Sequence, residues 1–238
     1  MRGPYGFEPS ENCATCGLRK AGFFCQIDPA ALKDFNAARM TATYPTGAIL
    51  YIEKQDPRGV FMLCAGEVKL SISSSAGRTL ILRIAKPGEI LGLTAVLANT
   101  PYEVTAETIH PCQVAFIRRQ DFLNLLTKHH ELCEGVVRQL MSLYNGACEQ
   151  LRTVGLSASA PEKLARLILE WSASGKTTTD GTQVKVPLTH QEIAEFLGTT
   201  RETVTRTLSE FKTQNLITLQ GSTLTIQNRA ALECIGGA

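Results

Sequence analysis

The chain lacks most of the features that would announce a cellular address or a catalytic centre. No apolar run in its 238 residues is long enough to span a bilayer. Met1-Arg2-Gly3-Pro4 does not begin a secretory signal. Both absences point to a cytoplasmic protein without a membrane partner. Charge of one sign is not in excess: 24 Lys and Arg stand against 22 Asp and Glu, a formal +2. A nucleic-acid role would therefore have to rest on placed side chains, not on bulk charge. Only four histidines occur, His110, His129, His130 and His190, and they are scattered. His129-His130 read as solvated residues on a helix surface, and no histidine stands out as a haem ligand. An enzyme or small-molecule module of the cupin kind would need a His/carboxylate metal set among strands, and none is seen, so the chain reads as a non-enzyme.

What is present is ordinary in bulk and specific in places. Hydrophobic content is 44% and charged content 19%, typical of a globular protein, and the length allows two modest domains with separate cores. Eight cysteines in a chain read as intracellular do not suggest a disulfide framework. They suggest thiol chemistry, metal binding or buried apolar cysteines.

Four segments follow one another. Residues 1–26 are a leader with Cys13-x-x-Cys16 and Cys25. Residues 27–120 begin with a short helix over 29–39, Leu32 and Phe35 inward, and continue as short strands. The clearest are Ile49–Ile52, Val60–Leu63, Val68–Ile72, Leu80–Ile84 and Gln113–Ile117, separated by turn pairs such as Ala65-Gly66 and Pro87-Gly88. That spacing predicts a jelly-roll-like β-roll. Residues 121–154 read as one long helix in which Cys133, Val137, Leu140, Tyr144, Ala147, Leu151 and Val154 recur at spacings of four and three, the seam of a coiled-coil homodimer. The alternative is a helix lying on its own β-roll. Residues 155–238 open with a Ser-rich hinge and a helix from Pro161 whose core face is Leu164, Leu167, Ile168 and Trp171.

The most specific stretch is Leu188–Phe211. Thr189 and Glu192 form a capping box. Ile193, Ala194 and Leu197 share one face, and Gly198 supplies a turn residue. Thr199 or Thr200 caps a second helix with Val204, Leu208 and Phe211 buried. Arg201, Glu202, Thr205 and Arg206 then lie together near its start. Arg can bind guanine O6 and N7, and Glu can accept from cytosine N4. A helical hairpin with merely solvated charges is the plainer alternative. Leu216–Leu219 and Thr223–Ile226 around Gly221-Ser222 predict a β-hairpin wing. The fold expected is α+β: β-roll, long dimerisation helix, C-terminal winged helix-turn-helix.

In that order, these parts resemble the Crp–Fnr family of bacterial transcription regulators over about residues 25 to 230, most strongly at Leu188–Phe211 and at the turns Gly66-Glu67-Val68 and Pro87-Gly88-Glu89. The resemblance implies that Arg201, Glu202 and Arg206 read bases, with Thr205 where the Fnr branch has Ser. It implies a palindromic operator with TTGA or TGTGA-like half-sites, a homodimer formed through Val137, Leu140, Tyr144, Ala147 and Leu151, and contact of the turn Ser73–Arg78 with RNA polymerase. The cyclic-nucleotide branch clamps phosphate with an arginine where this chain has Tyr102, followed by Glu103, and its ribose-binding glutamate is Leu93 here, so no cyclic nucleotide is expected. In the Fnr branch three leader cysteines and one cysteine before the last strand ligate a [4Fe–4S] cluster that senses oxygen and controls dimerisation. Cys13, Cys16, Cys25 and Cys112 match those positions, although eight residues between Cys16 and Cys25 make a longer gap than usual. A cluster-free regulator answering to thiol oxidation, zinc, nitric oxide or haem is the alternative. Cys64, Cys133, Cys148 and Cys234 read as structural.

Overall fold

The computed structural model describes residues 5, 7, 13, 16, 27–156, 159–173, 175–178 and 181–237. The chain divides into two compact units, Met1–Arg78 with Leu82–Gly146, and Ala147–Ala238 with Thr79–Ile81. No helix among the described residues is long and apolar enough to cross a membrane.

In the first unit Asp28 caps α1 (Pro29–Ala38), accepting a hydrogen bond from the Ala30 N–H at 2.7 Å. Proline in the first turn costs nothing there, because that N–H has no helical partner anyway. Eight strands follow: β1 (Arg39–Tyr44), β2 (Ile49–Tyr51), β3 (Gly59–Ala65), β4 (Val68–Ser73), β5 (Thr79–Ala85), β6 (Ile90–Leu91), β7 (Thr105–Thr108) and β8 (Cys112–Arg118), with a short helix α2 (Leu93–Ala98) after β6. They form two sheets, β1-β8-β3-β6 and β2-β7-β4-β5, which is the expected β-roll.

The first sheet is apolar on both faces. Along β3 and β8 the side chains alternate. Val60, Met62, Ala115 and Ile117 join a core cluster with Leu32 and Phe35 of α1. Phe61, Leu63, Cys112 and Val114 face the other way, into a second cluster with Val68 and Leu70 of β4 and Ala106 of β7. This geometry decides where the sulfurs lie.

The single helix expected over 121–154 is two helices. α3 (Arg119–Lys128) ends at His129, whose φ of −127° and ψ of 99° are extended, and α4 (His130–Leu156) begins at the next residue. No Pro or Gly causes the break. His129 is 8% exposed and its Nε2 lies 2.8 Å from Asp34 Oδ2 of α1, so a tertiary hydrogen bond pulls the backbone out of the helix. The solvated reading of His129 is thereby corrected, while His130 is exposed. The start of α4 belongs to the α1 side of the core through Leu132 and Val136. Gln139 fixes it further: its amide N donates to the Ile90 carbonyl at 2.6 Å and its amide O accepts from the Ile90 N–H at 3.0 Å, both buried.

In the second unit Ser159 caps α5 (Ala160–Ser172). Leu164, Leu167 and Ile168 are buried and Trp171 is half-buried. The hairpin β9 (Lys176–Thr178) and β10 (Gly181–Lys185) precedes helices α6 (His190–Leu197) and α7 (Arg201–Thr213). The wing β11 (Ile217–Gln220) and β12 (Thr223–Ile226) completes a four-stranded sheet in the order β11-β12-β10-β9. A last helix, α8 (Arg229–Gly236), packs on α5.

Candidate functional site

The recognition element is built by its turns. Thr189 accepts from the Glu192 N–H, and Glu192 accepts from the Thr189 N–H at 2.9 Å, closing the capping box. Gly198 ends α6 at φ 63° and ψ 41°, left-handed geometry that favours glycine. Thr200, not Thr199, caps α7 by accepting from the Thr203 N–H at 3.3 Å. Val204, Leu208 and Phe211 are buried against the unit's core. That rotation leaves Arg201, Glu202, Thr205 and Arg206 exposed together. With Ser209 they line an open hollow of about 430 Å³. Glu202's carboxyl is held below the usual range by its own backbone N–H, then by the Thr200 hydroxyl, with Arg201's charge adding to both. It is an ionised acceptor. The Thr205 hydroxyl donates to the Arg201 carbonyl at 2.9 Å, and His190 Nδ1 lies 3.0 Å from Thr205 Oγ1. With the hydroxyl proton committed, the ring N–H is the donor, and His190 orients Thr205. Sequence reasoning passed over His190, because a residue beside a helix cap carries no signal of its partner fifteen positions away. Gln150 of α4 donates to the Phe196 carbonyl at 3.0 Å, a link between the long helix and the end of α6 that periodicity could not show.

The exposed face of α4 is apolar. Val137 is 54% exposed, Met141 62%, Tyr144 70% and Leu151 71%. Such a row of large side chains in water is what a second helix covers. Ala147 is exposed as well. Leu140 departs from the expected seam: it is half-buried against the α1 side of the core. Met141 takes the outward place beside it, because successive residues on a helix point 100° apart, while Val137, Tyr144, Ala147 and Leu151 keep the expected phase. Cys133 is exposed and its thiol donates to the Leu126 carbonyl at 3.5 Å. The side chain of Val154 lies outside the described residues.

The leader sulfurs are partly placed. Cys13 is buried, its N–H donates to Asn36 Oδ1 at 3.2 Å, and it joins the cluster that holds Leu132 and Val136 of α4. Cys16 follows in a turn, its N–H donating to the Cys13 carbonyl at 3.3 Å. Cys25 lies outside the described residues. Cys112 is fully buried on the opposite face of β8, its thiol donating to the Glu67 carbonyl at 3.3 Å and the His110 carbonyl at 3.1 Å. Burial raises both thiol pKa values; Arg39 partly offsets this at Cys13, and the Glu67 carbonyl bond does so at Cys112. A four-sulfur centre needs its thiolates around one point. Here Cys13 and Cys112 belong to clusters on opposite faces of one sheet, so the arrangement does not fit a cluster as it stands.

Comparison with known proteins bears on both units. Residues 41–129 match the cyclic nucleotide-binding domain family. Residues 162–235 match the Crp-like helix-turn-helix domain. The chain belongs to the Crp–Fnr family of transcription regulators. It is 24% identical over 216 residues to the CRP-like cAMP-activated global transcriptional regulator of Mycobacterium tuberculosis, covering 90% of this chain and 96% of that one. It is 27% identical over 219 residues to the transcriptional activatory protein AadR of Rhodopseudomonas palustris, covering 90% and 87%. The structure of FixK2 from Bradyrhizobium japonicum superposes with a TM-score of 0.73 at 22% identity, covering 84% of this chain and 98% of that chain. This Crp–Fnr protein is thus a DNA-binding transcription regulator.

The interior of its β-roll is occupied by aromatic side chains. Tyr102 is 2% exposed, stacks on Tyr51 with ring centroids 4.1 Å apart, and donates to the Gly59 carbonyl at 2.6 Å. Its ring lies so close to Gly92 that a Cβ there would meet it at 2.6 Å. Leu93 is buried and Glu103 is exposed. The Tyr102 phenol is thus already satisfied by backbone.

Proposed function

We propose that this regulator grips a palindromic operator as a homodimer and that oxygen or redox state governs the grip through the leader thiols. The observation that carries the reading is Cys13: a leader cysteine is packed in the same apolar cluster as Leu132 and Val136, the first turns of the helix whose outer face is the dimer stripe. Chemistry at the leader changes the support of α4 and so the pairing of Val137, Met141, Tyr144 and Leu151. Pairing sets the two α7 helices one DNA turn apart, about 34 Å. The half-site is TTGA or TGTGA-like, with Glu202 and Arg206 on the GA step, and the exposed turn Ser73–Arg78 meets RNA polymerase.

By the family resemblance, Cys13, Cys16, Cys25 and Cys112 would be the ligands of a [4Fe–4S] cluster, although Cys13 and Cys112 as placed do not fit one. Since Cys112 lies across the sheet from Cys13, loading requires the leader to leave the site described above. That separation favours a second reading, direct oxidation of the leader thiols without Cys112. Burial keeps Cys13 protonated, so it becomes reactive only when the leader opens. Anaerobic purification with iron and acid-labile sulfide assays decides between them. One cluster per chain, lost in Cys112→Ser, supports the first. A chain that takes up neither iron nor sulfide under anaerobic reconstitution refutes it and leaves the second. Cyclic nucleotide is not the effector on this reading, since Tyr102 fills the place of the phosphate clamp. Calorimetric titration with cyclic AMP and cyclic GMP is expected to show no binding heat, and micromolar affinity for either would overturn the point.

A further inference from the structure

Among the described residues, one set of three metal-ligating side chains has donor atoms all within 4.8 Å of one another: Asp28, His129 and Glu131. It contains no cysteine. It sits where the leader enters α1 and where α3 breaks from α4.

Three features of this set are those of a ligand site. The first is the histidine. Asp34 Oδ2 accepts from the His129 Nε2–H at 2.8 Å and is itself held by Lys128 Nζ at 2.6 Å. A carboxylate on one ring nitrogen leaves the other, Nδ1, with its lone pair free, and this is how ligating histidines are oriented. His129 is nine-tenths buried, and Nδ1 lies 3.9 Å from Glu131 Oε1. That is too long for a hydrogen bond. Two atoms each ~2.1 Å from a shared tetrahedral ion stand about 3.4 Å apart, so a side-chain shift of about half an ångström would bring this pair to ligand spacing. The second is Glu131, whose side chain is 39% exposed but whose Oε1 is buried and accepts no hydrogen bond. A buried carboxylate oxygen without a partner is costly. The third is Asp28, which brings a carboxylate oxygen within 4.8 Å of both the His129 and the Glu131 donor atoms. A cation between two such carboxylates relieves their mutual repulsion.

We propose that Asp28, His129 Nδ1 and Glu131 bind one divalent transition-metal ion of the zinc type, water completing the shell. One imidazole nitrogen with two carboxylate oxygens is a donor set for such an ion. The bound ion ties the residue that caps α1 to the break that launches α4. It is separate from any centre on the leader thiols.

Cobalt(II) is the probe, because its spectrum distinguishes thiolate from nitrogen and oxygen ligands. The full chain carrying Cys13→Ser, Cys16→Ser and Cys25→Ser is titrated with Co2+, and Zn2+ is used to displace it. The expected result is one equivalent bound with visible d–d bands and no thiolate charge-transfer band. Glu131→Gln and Asp28→Asn each weaken binding by about 100-fold or more, and Asp34→Asn by about tenfold. Asn retains the helix-capping ability of Asp28, and circular dichroism verifies that each variant is folded. Failure of the triple-serine chain to bind Co2+, or undiminished binding in folded Asp28→Asn and Glu131→Gln, overturns the site. Neither outcome depends on whether the leader thiols hold a cluster.

Discussion

Gly66 shuts the roof over Cys112. Its φ is +89°, and a Cβ built there would stand 2.5 Å from Cys112 Sγ, 2.6 Å from the Pro111 carbonyl oxygen and 3.0 Å from Cys112 Cα. Gly66→Ala therefore carries two costs. Left-handed backbone costs an L-residue about 1–2 kcal/mol. The clash is largely with backbone, which cannot swing aside as a side-chain tip can, and overpacking of this kind costs about 1–3 kcal/mol. The sum is about 2–5 kcal/mol. Gly77→Ala is the control: φ is +75°, but nothing lies within 4 Å of its Cβ, so only the first cost applies. Urea unfolding followed by circular dichroism, at one protein concentration so that association is held constant, measures both. The single tryptophan, Trp171, lies in α5, so its fluorescence reports on the wrong unit. A second readout is alkylation of Cys112, mapped by mass spectrometry, which the parent resists and Gly66→Ala permits. If Gly66→Ala is no more destabilised than Gly77→Ala, and Cys112 stays shielded, the close packing of that sulfur under the turn is wrong.

Met141→Glu places a charge in the apolar face of α4 and shifts sedimentation from dimer to monomer. Burying a side chain of this size contributes about 1.5–3 kcal/mol, so dissociation should weaken the dimer at least tenfold, with little change in the stability of the first unit. Arg206→Ala costs about 1–3 kcal/mol of operator binding and relaxes discrimination at one guanine; equal weakening on all sequences in a competition assay would remove its base-reading role. Asp34's carboxyl is held below its usual range by the hydrogen bond from Lys128, then that from His129. A depressed folded pKa contributes stability above the unfolded value that is lost as pH falls through the folded one. Acid unfolding below the carboxylate range should therefore be shallower in Asp34→Asn, and an unchanged pH profile would count against the pairing.

The helix-turn-helix was legible because its signals are local: the Thr189–Glu192 box, Gly198 and the apolar row Val204, Leu208 and Phe211 lie within one or two turns of each other. The strands of the β-roll that alternate or run apolar were legible too. β1 was not, because Arg39–Tyr44 is polar and half-exposed, pairing only with β8 at a sheet edge. β9 and β10, rich in Thr and Lys, hide for the same reason. The α3–α4 break depends on His129 meeting Asp34, 95 positions away, and no window on the sequence contains both. The seam of α4 was misread at Leu140, since Leu140 and Met141 are both apolar and only the β-roll beneath decides which turns inward. Cys112 was assigned from its place before the last strand, yet the alternation of β8 puts it on the face away from Cys13.

The central claim is that the state of the leader sulfurs sets the grip on DNA. Operator affinity and dimer fraction, measured side by side on protein kept anaerobic and on the same protein exposed to air, test it most directly. The account predicts that both fall together on exposure, and that Cys13→Ser abolishes the difference between the two states. Equal affinity and equal dimer fraction before and after exposure would contradict it.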